Sequence, residues 1–307
     1  MAAVAARLVR ASGTEDVAFV FQRGTVFFAR GSDEVRPAAV ELIRGVYESA
    51  PRDAHFILRN TVFATREPGP FALGMTKVAA KRLRLVSAEG DGKGETLPLR
   101  EVTPGEPELA LPGMTSPPRS PEEWLHFAFE LVTLRLERAP PIARSEEASS
   151  ASLRVEGSSG PGLARDDRMQ ADLPRHARDR LVGAALVGPG GELLAASANS
   201  NGANRTRHAE LNALLGLWHA TRTKLAPGTR LYATLRPCAM CAGLLWELSA
   251  VPGTVRVYYA HEDPGSAARN TVLCPGSATR ARFARSEEEL IAPGCTRVSL
   301  GTDRPSI

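Results

Sequence analysis

The sequence predicts an α/β protein composed of two units. Residues 182–260 alternate short apolar runs with helical patterns in the order β-β-α-β-α-β. A second alternation of hairpin-like and helical patterns occupies residues 14–88. A stretch rich in glycine, proline and glutamate separates the two, as is typical of a linker. We therefore expect a small α/β domain at 1–90, a linker at 91–118 and a larger domain at 119–307.

The N-terminal unit shows the patterns of two strand pairs around a helix. Residues 17–21 and 25–29 are β-rich and predict a hairpin. Residues 37–49 predict a helix, because their apolar side chains recur at helical spacing. Residues 55–58 and 61–65 predict another pair of strands. No catalytic motif is apparent here, and His55 is predicted to be an ordinary strand residue.

Residues 75–86 fit either a helix or a strand and carry a basic cluster. Its members are Lys77, Lys81, Arg82 and Arg84. A solvated face is the simpler interpretation of such a cluster, and contact with phosphate groups is the alternative.

The larger domain is predicted to begin with a helix from Ser120 to about residue 138. Ser120 can cap it, Pro121 suits the first helical position, and Glu123 completes a capping box. An insert at 139–179 follows. Its residues 146–160 are rich in serine, glutamate and glycine, which predicts poor order, and residues 166–180 are rich in arginine.

The remaining elements follow in a regular order. Residues 182–197 predict a hairpin, because a Gly-Pro-Gly-Gly turn separates two apolar runs. A helix at 211–218, a buried strand at 231–235, a second helix from Pro237 to Leu248 and a strand at 255–260 complete the pattern. A short helix at 287–290 and a strand at 296–300 are predicted last. No internal sequence repeat is apparent.

The residues that carry chemistry stand at the starts of the two helices. His208 and Glu210 form a His-x-Glu motif, and Cys238 and Cys241 form a Pro-Cys-x-x-Cys motif with Pro237. One imidazole and two thiolates predict a three-ligand zinc site that keeps its fourth position for water. Zinc lowers the pKa of such a water, and Glu210 is placed to transfer its proton.

Two other interpretations of the cysteine pair are open. A Cys-x-x-Cys motif can be a redox pair or half of a structural zinc site. A structural site requires a fourth cysteine or histidine at matching spacing, and Cys274 and Cys295 stand alone in the sequence. We therefore prefer the catalytic interpretation.

Residues 181–273 resemble the cytidine/deoxycytidylate deaminase superfamily, most closely its tRNA adenosine deaminase branch. The resemblance rests on the two motifs, on the run from Leu231 to Gly243 and on the loop at 259–265. It implies a three-layer α/β/α deaminase fold with a five-stranded mixed sheet, preceded here by the small α/β N-terminal domain. It also implies that zinc is bound by His208, Cys238 and Cys241.

The resemblance further implies the roles of the neighbouring residues. Glu210 matches the proton shuttle, and Asn199, Ala209 and Pro237 match positions that contact the substrate, although Asn201 competes with Asn199 for that role. The sequence departs from the family at Arg236, where many relatives carry glutamate.

The implied function is zinc-dependent hydrolytic deamination of a nucleobase, adenine or cytosine, within single-stranded nucleic acid or tRNA. A deaminase of a free base, nucleoside or nucleotide, of guanine or cytosine type, is an alternative. A catalytically silent scaffold subunit is another, but such proteins usually lack the shuttle glutamate, and Glu210 is present.

The composition is compatible with these interpretations. The net charge of +4 and the pI of about 9.1 permit contact with nucleic acid. The four cysteines suit a reducing cytoplasm. No apolar run is long enough to span a membrane, and the alanine-rich start is too short for a secretory leader. We expect a cytoplasmic protein with no membrane partner, and a homodimer remains open.

Overall fold

The computed structural model describes residues 1–89, 97–107, 109, 118–138, 182–200 and 204–300. The predicted insert at 139–179, most of the predicted linker at 91–118, and Asn201 therefore lie outside the described residues. Within the described ranges, no helix is long and apolar enough to cross a membrane.

The N-terminal unit is built on a five-stranded mixed sheet. Its strand order is β4-β3-β1-β2-β5, with β1 antiparallel to β2 and β3, and with β3 parallel to β4. The elements are α1 (Ala2–Ser12), β1 (Val17–Gln22), β2 (Thr25–Arg30), α2 (Ala38–Ser49), α3 (Ala54–Ile57), β3 (Thr61–Ala64), α4 (Pro70–Ala79), β4 (Arg82–Leu85) and β5 (Leu99–Glu101).

The prediction of a strand at residues 55–58 is wrong, because this segment forms α3. Ala54, Ile57 and Leu58 are buried, whereas His55 and Phe56 are exposed. This spacing of buried positions is that of a helix face and not the alternation of a strand. The following strand β3 is present as predicted, and it pairs with β1 and β4.

The C-terminal unit contains a second five-stranded mixed sheet, as predicted. Its order is β10-β9-β8-β6-β7, with β6 antiparallel to β7 and β8, and with β8, β9 and β10 parallel. The elements are α5 (Pro121–Arg138), β6 (Gly183–Val187), β7 (Leu193–Ala198), α6 (Ala209–Thr221), β8 (Arg230–Leu235), α7 (Ala239–Leu248), β9 (Arg256–His261), a 3₁₀ turn (Ser266–Ala268), α8 (Ala278–Phe283), α9 (Glu287–Ile291) and β10 (Cys295–Arg297).

Helices cover both faces of this second sheet. Ala185 and Val187 of β6 belong to the apolar cluster that contains Trp124 of α5. Ala184 and Leu186, which alternate with them, pack on the opposite face with α6 and α7. The sheet is therefore the middle layer of a three-layer α/β/α fold, which confirms the predicted fold class.

A single apolar core extends through both units. It contains buried residues of α2 and α4 together with residues of α6 and α7. At the crossing of α4 and α7, a Cβ atom added to Gly74 would lie 2.2 Å from the Ala239 carbonyl oxygen, and one added to Gly243 would lie 2.3 Å from the Pro70 carbonyl oxygen. Glycine at both positions therefore permits the backbones of the two helices to touch.

Candidate metal and active site

The predicted site lies where two helices begin beside the central strands. His208 is the N-cap of α6, and Cys238 is the N-cap of α7, three residues after the end of β8. Neither helix start has a side-chain cap in the structure. The unpaired N–H groups of a helix start favour negative charge, so both positions stabilise an anionic ligand or thiolate.

The three predicted ligands come together in a compact triangle. The distance from His208 Nδ1 is 3.5 Å to Cys238 Sγ and 3.6 Å to Cys241 Sγ, and the two sulfur atoms are 3.7 Å apart. Tetrahedral zinc with ordinary bond lengths requires about 3.6 Å between nitrogen and sulfur and about 3.8 Å between sulfurs. This donor set and its spacing therefore fit a zinc ion without rearrangement.

The two thiols have different acidities because of their geometry. The hydrogen bond with Cys241 holds the pKa of the Cys238 thiol well below its ordinary value. Burial raises the pKa of the Cys241 thiol. Cys238 is thus the thiol that is more readily deprotonated, and a metal cation is needed to hold both cysteines as thiolates.

Glu210 lies in the first turn of α6, next to the ligand triangle. Its side chain is buried, and burial raises the pKa of its carboxyl group to about 7. Its Oε2 atom is buried and has no hydrogen-bond partner among the residues that the structure describes. A buried carboxylate oxygen without a partner is costly, which indicates that this atom faces a group supplied by a ligand or water.

A small cavity adjoins these residues. Its volume is about 30 Å³, which holds one or two water molecules. Asn199, His208, Glu210 and Cys238 line it, as do Val182, Leu235, Arg236 and Asp263. Asn199 thus lies where the sequence places it, at the end of β7. Ala209 and Pro237 are buried beside the ligands but are not among the residues that line the cavity.

Residues 173–284 match the sequence profile of the Bd3614-like deaminases. This part of the chain belongs to the cytidine/deoxycytidylate deaminase superfamily. The chain is also 34% identical over 109 residues to a tRNA(Ile)-lysidine synthase of Deinococcus deserti. That alignment covers 35% of this chain and 18% of the relative, so the chain spans about a fifth of the relative's length.

Two solved structures resemble the deaminase domain. One comes from a study of A-to-I editing by tRNA:A34 deaminases, with 30% identity, coverage of 38% of this chain and 76% of the other, and a TM-score of 0.28. The other is the dCMP deaminase of the cyanophage S-TIM5, with 20% identity, coverage of 38% and 79%, and a TM-score of 0.25.

The sequence motifs do not identify Asp263 as a residue of the candidate active site. It lies in the loop after β9, lines the cavity, and accepts a hydrogen bond from the Gly265 backbone N–H at 2.8 Å. The sequence signal was the family-like run at 259–265, which identified the loop without indicating which side chain faces the site.

Arg236 is held rigidly at the edge of the cavity. It donates hydrogen bonds to Glu262 at 3.1 Å and to Cys274 Sγ at 3.2 Å, and its guanidinium lies over the Tyr259 ring. Cys274 therefore contacts Arg236 and is not part of the ligand triangle. Among the described residues, the triangle is the one group of histidine, cysteine and acidic residues close enough to hold a metal.

Proposed function

We propose that the protein is a zinc-dependent hydrolase that removes the amino group of a nucleobase, adenine or cytosine, within single-stranded nucleic acid or tRNA. The observation that carries the proposal is the ligand triangle with the unpartnered Glu210 carboxylate oxygen beside a water-sized cavity. A structural zinc site has four protein ligands, so it needs neither an open coordination position nor a buried acid beside the metal.

In this proposal His208, Cys238 and Cys241 hold the zinc, which lowers the pKa of a water molecule when it is bound. Glu210 accepts the proton of that water and delivers protons to the ring nitrogen and to the departing ammonia. Water adds to the carbon that carries the amino group, the carbon–nitrogen bond breaks, and the amidine becomes an amide. Asn199 and Asp263 orient the base from the cavity wall.

Charged and aromatic groups on α3 and at Arg205 support a polymeric substrate. Arg205 lies three residues before His208, and Arg59 and Arg205 both lower the pKa of His55 on α3. Phe56 of α3 is 54% exposed, and the Arg59 guanidinium lies 5.9 Å from its ring centroid. Exposed aromatic rings with neighbouring arginines are typical of surfaces that stack bases and hold phosphates.

Two further arginines beside the His-x-Glu and Pro-Cys-x-x-Cys motifs already have acidic partners. Arg207 forms an ion pair with Glu48 at 3.2 Å, and Arg236 forms one with Glu262 at 3.1 Å. The arginines at 175–180 lie outside the described residues. In this proposal Arg205 and Arg59 are therefore the arginines that bind the phosphate groups of the polymer.

The experiment compares substrates and ionic strengths. Purified protein is incubated with single-stranded DNA, RNA and tRNA, and in parallel with free bases, nucleosides and nucleotides, and products are detected by mass. We expect turnover of a polymer that weakens steeply as salt rises. Turnover confined to small molecules and insensitive to salt would support the free-substrate alternative. No turnover of any substrate by a zinc-loaded protein would support the silent scaffold.

A further inference from the structure

The two sheets repeat one topology, although the sequence shows no repeat. In each unit a hairpin is followed by a helix, a strand, a second helix and another strand, and the first unit adds the short helix α3 after α2. The resulting strand order is β4-β3-β1-β2 in the first unit and β9-β8-β6-β7 in the second, with the same parallel and antiparallel pairings. The units differ in the fifth strand, which is added at opposite edges.

The correspondence extends to the backbone of the ligand positions. The N-cap of α2 is Pro37 (φ −66°, ψ 158°), and the N-cap of α6 is His208 (φ −75°, ψ 152°). The N-cap of α4 is Gly69 (φ −74°, ψ 180°), and the N-cap of α7 is Cys238 (φ −73°, ψ 174°). Helices α4 and α7 each have ten residues.

The first unit lacks every side chain that the chemistry needs. Pro37 and Gly69 stand at the positions of His208 and Cys238. Counting along the helices, Ala72 stands at the position of Cys241, and Ala39 stands at that of Glu210. None of these four replacements offers a metal-ligating or proton-transferring group.

The contact between the units is reciprocal, as between two subunits related by a two-fold axis. Gly74, the fifth residue of α4, lies against Ala239 at the start of α7, and Gly243, the fifth residue of α7, lies against Pro70 at the start of α4. An ion pair and a hydrogen bond also join α2 and α6, together with the residues that precede each helix, at opposite ends. Arg207 contacts Glu48, and Trp218 donates to Asp33 at 3.1 Å.

We propose that the N-terminal unit is a second, metal-free copy of the deaminase fold that serves as the built-in partner subunit of the metal site. Its helix α4 fixes the position of α7, which carries both cysteine ligands. Glu247 of α7 strengthens this contact, because its carboxylate accepts a hydrogen bond from the Phe71 backbone N–H at 3.0 Å. The proposal rests on the proposed zinc site and is independent of the substrate.

The first test restores the missing ligands. The variant Pro37→His/Gly69→Cys/Ala72→Cys places the three ligand types at the equivalent positions. The Gly69 substitution displaces the Glu247 carboxylate, which accepts the bond from the Phe71 N–H, and the control described below carries the same substitution. We expect zinc content by elemental analysis to rise from one to two ions per chain. Cobalt substitution should show twice the thiolate-to-metal absorption.

The matched control is Pro37→His/Gly69→Cys/Leu73→Cys, which moves one thiol a single position along α4 and off the helix face. It should keep the wild-type zinc content. A folded triple variant with no gain, or an equal gain in the control, would overturn the assignment as a copy. The zinc content of the wild-type protein tests the proposed function. The difference in zinc content between the triple variant and the wild type tests whether the N-terminal unit is a copy of the deaminase fold.

The second test addresses the partner role and needs no restored site. Gly74→Ala introduces a methyl group against the Ala239 carbonyl. It should weaken zinc affinity at least tenfold in competition with a chelator. The control Val20→Ala creates a cavity in the first sheet, where Val20 is fully buried. Even if Val20→Ala loses as much thermal stability as Gly74→Ala, it should retain the zinc affinity of the wild type. Equal effects of the two variants on zinc affinity, or no effect of Gly74→Ala, would refute the partner role.

Discussion

The chemistry that we propose for the protein depends on four side chains. The residue types and spacing of His208, Glu210, Cys238 and Cys241 predicted both a metal site and a proton shuttle. The structure brings the three donor atoms within 3.7 Å of one another and buries Glu210 beside them. Local motifs were sufficient here because each one fixes the start of a helix, and helix geometry then sets the side-chain directions.

Glu210→Gln separates chemistry from structure. The substitution keeps the shape of the side chain and removes its ability to accept a proton, so zinc content and thermal stability should be retained while turnover falls. Proton transfer by a single residue typically contributes about 10²–10⁴-fold, and this residue serves several transfers. Steady-state kinetics measure the loss of turnover, and elemental analysis of the same preparation measures the retained zinc. Wild-type turnover by the variant would exclude the shuttle role.

Cys238→Ala should remove the metal. Two remaining ligands bind zinc weakly, and because metal binding is coupled to folding, the thermal midpoint should fall as well. Elemental analysis and calorimetry measure the two effects. Cys274→Ala is the control, since Cys274 contacts Arg236 and lies outside the ligand triangle. Equal zinc loss in both variants would contradict the assigned ligand set.

At the scale of elements, the sequence predicted those strands and helices in which apolar residues recur at a clear period. Where it failed, tertiary packing decided the outcome. Residues 55–58 are β-rich in sequence, but they follow α2 closely and bury Ile57 and Leu58 on one side, so they form α3. Asp263 was missed because it lies in a loop, and loop side chains are aimed by contacts distant in sequence.

The contact between α4 and α7 should make stability depend on pH. Burial raises the pKa of Glu247 to about 7, and the Phe71 N–H opposes that effect. A carboxyl group with a raised pKa stays protonated in the folded state while the unfolded state releases its proton. Stability is therefore full below about pH 4.5 and is lost as the pH rises to about 7.

Glu247→Gln should remove this loss, because the amide keeps an acceptor for Phe71 and does not ionise. At pH 8 the variant should be more stable than wild type by up to about 3 kcal/mol, and near pH 4.5 the two should be similar. Thermal unfolding of both proteins at several pH values between 4.5 and 8 provides the measurement. A difference in midpoint that stays constant over this range would disprove the prediction.

At the scale of the molecule, the sequence showed two α/β units but not that they share a core or a topology. The residues that reveal the relation, Gly74, Gly243, Pro37 and Gly69, have no distinctive side chains. Backbone conformation can be retained while side-chain identity is lost. A repeat of this kind is therefore visible in dihedral angles and pairings and is absent from the sequence.

The proposed substrate surface extends across both units and can be tested by binding alone. Phe56→Ala/Arg59→Ala should weaken the binding of a labelled single-stranded RNA about 5- to 150-fold, because base stacking contributes about 1–3 kcal/mol per base. Fluorescence anisotropy in a Glu210→Gln background measures binding without turnover.

The control for this surface is Arg82→Ala/Arg84→Ala, which removes two exposed arginines from β4. It should leave RNA affinity nearly unchanged. If this control loses more RNA affinity than Phe56→Ala/Arg59→Ala does, the RNA binds at the basic cluster of residues 77–84 and not at α3.

The crossing of α4 and α7 also has a consequence for synthesis of the chain. Phe71 and Glu247, which bond across it, are 176 residues apart in sequence. At a translation rate of about 5–20 residues per second, α4 leaves the ribosome roughly 10–35 s before its partner exists. Throughout that interval Phe71, Ala72 and Met75, which are buried in the finished protein, lack the cover that the second half of the chain supplies. We therefore expect the nascent N-terminal half to depend on chaperones, and the yield of folded protein to depend on how fast the second half is translated.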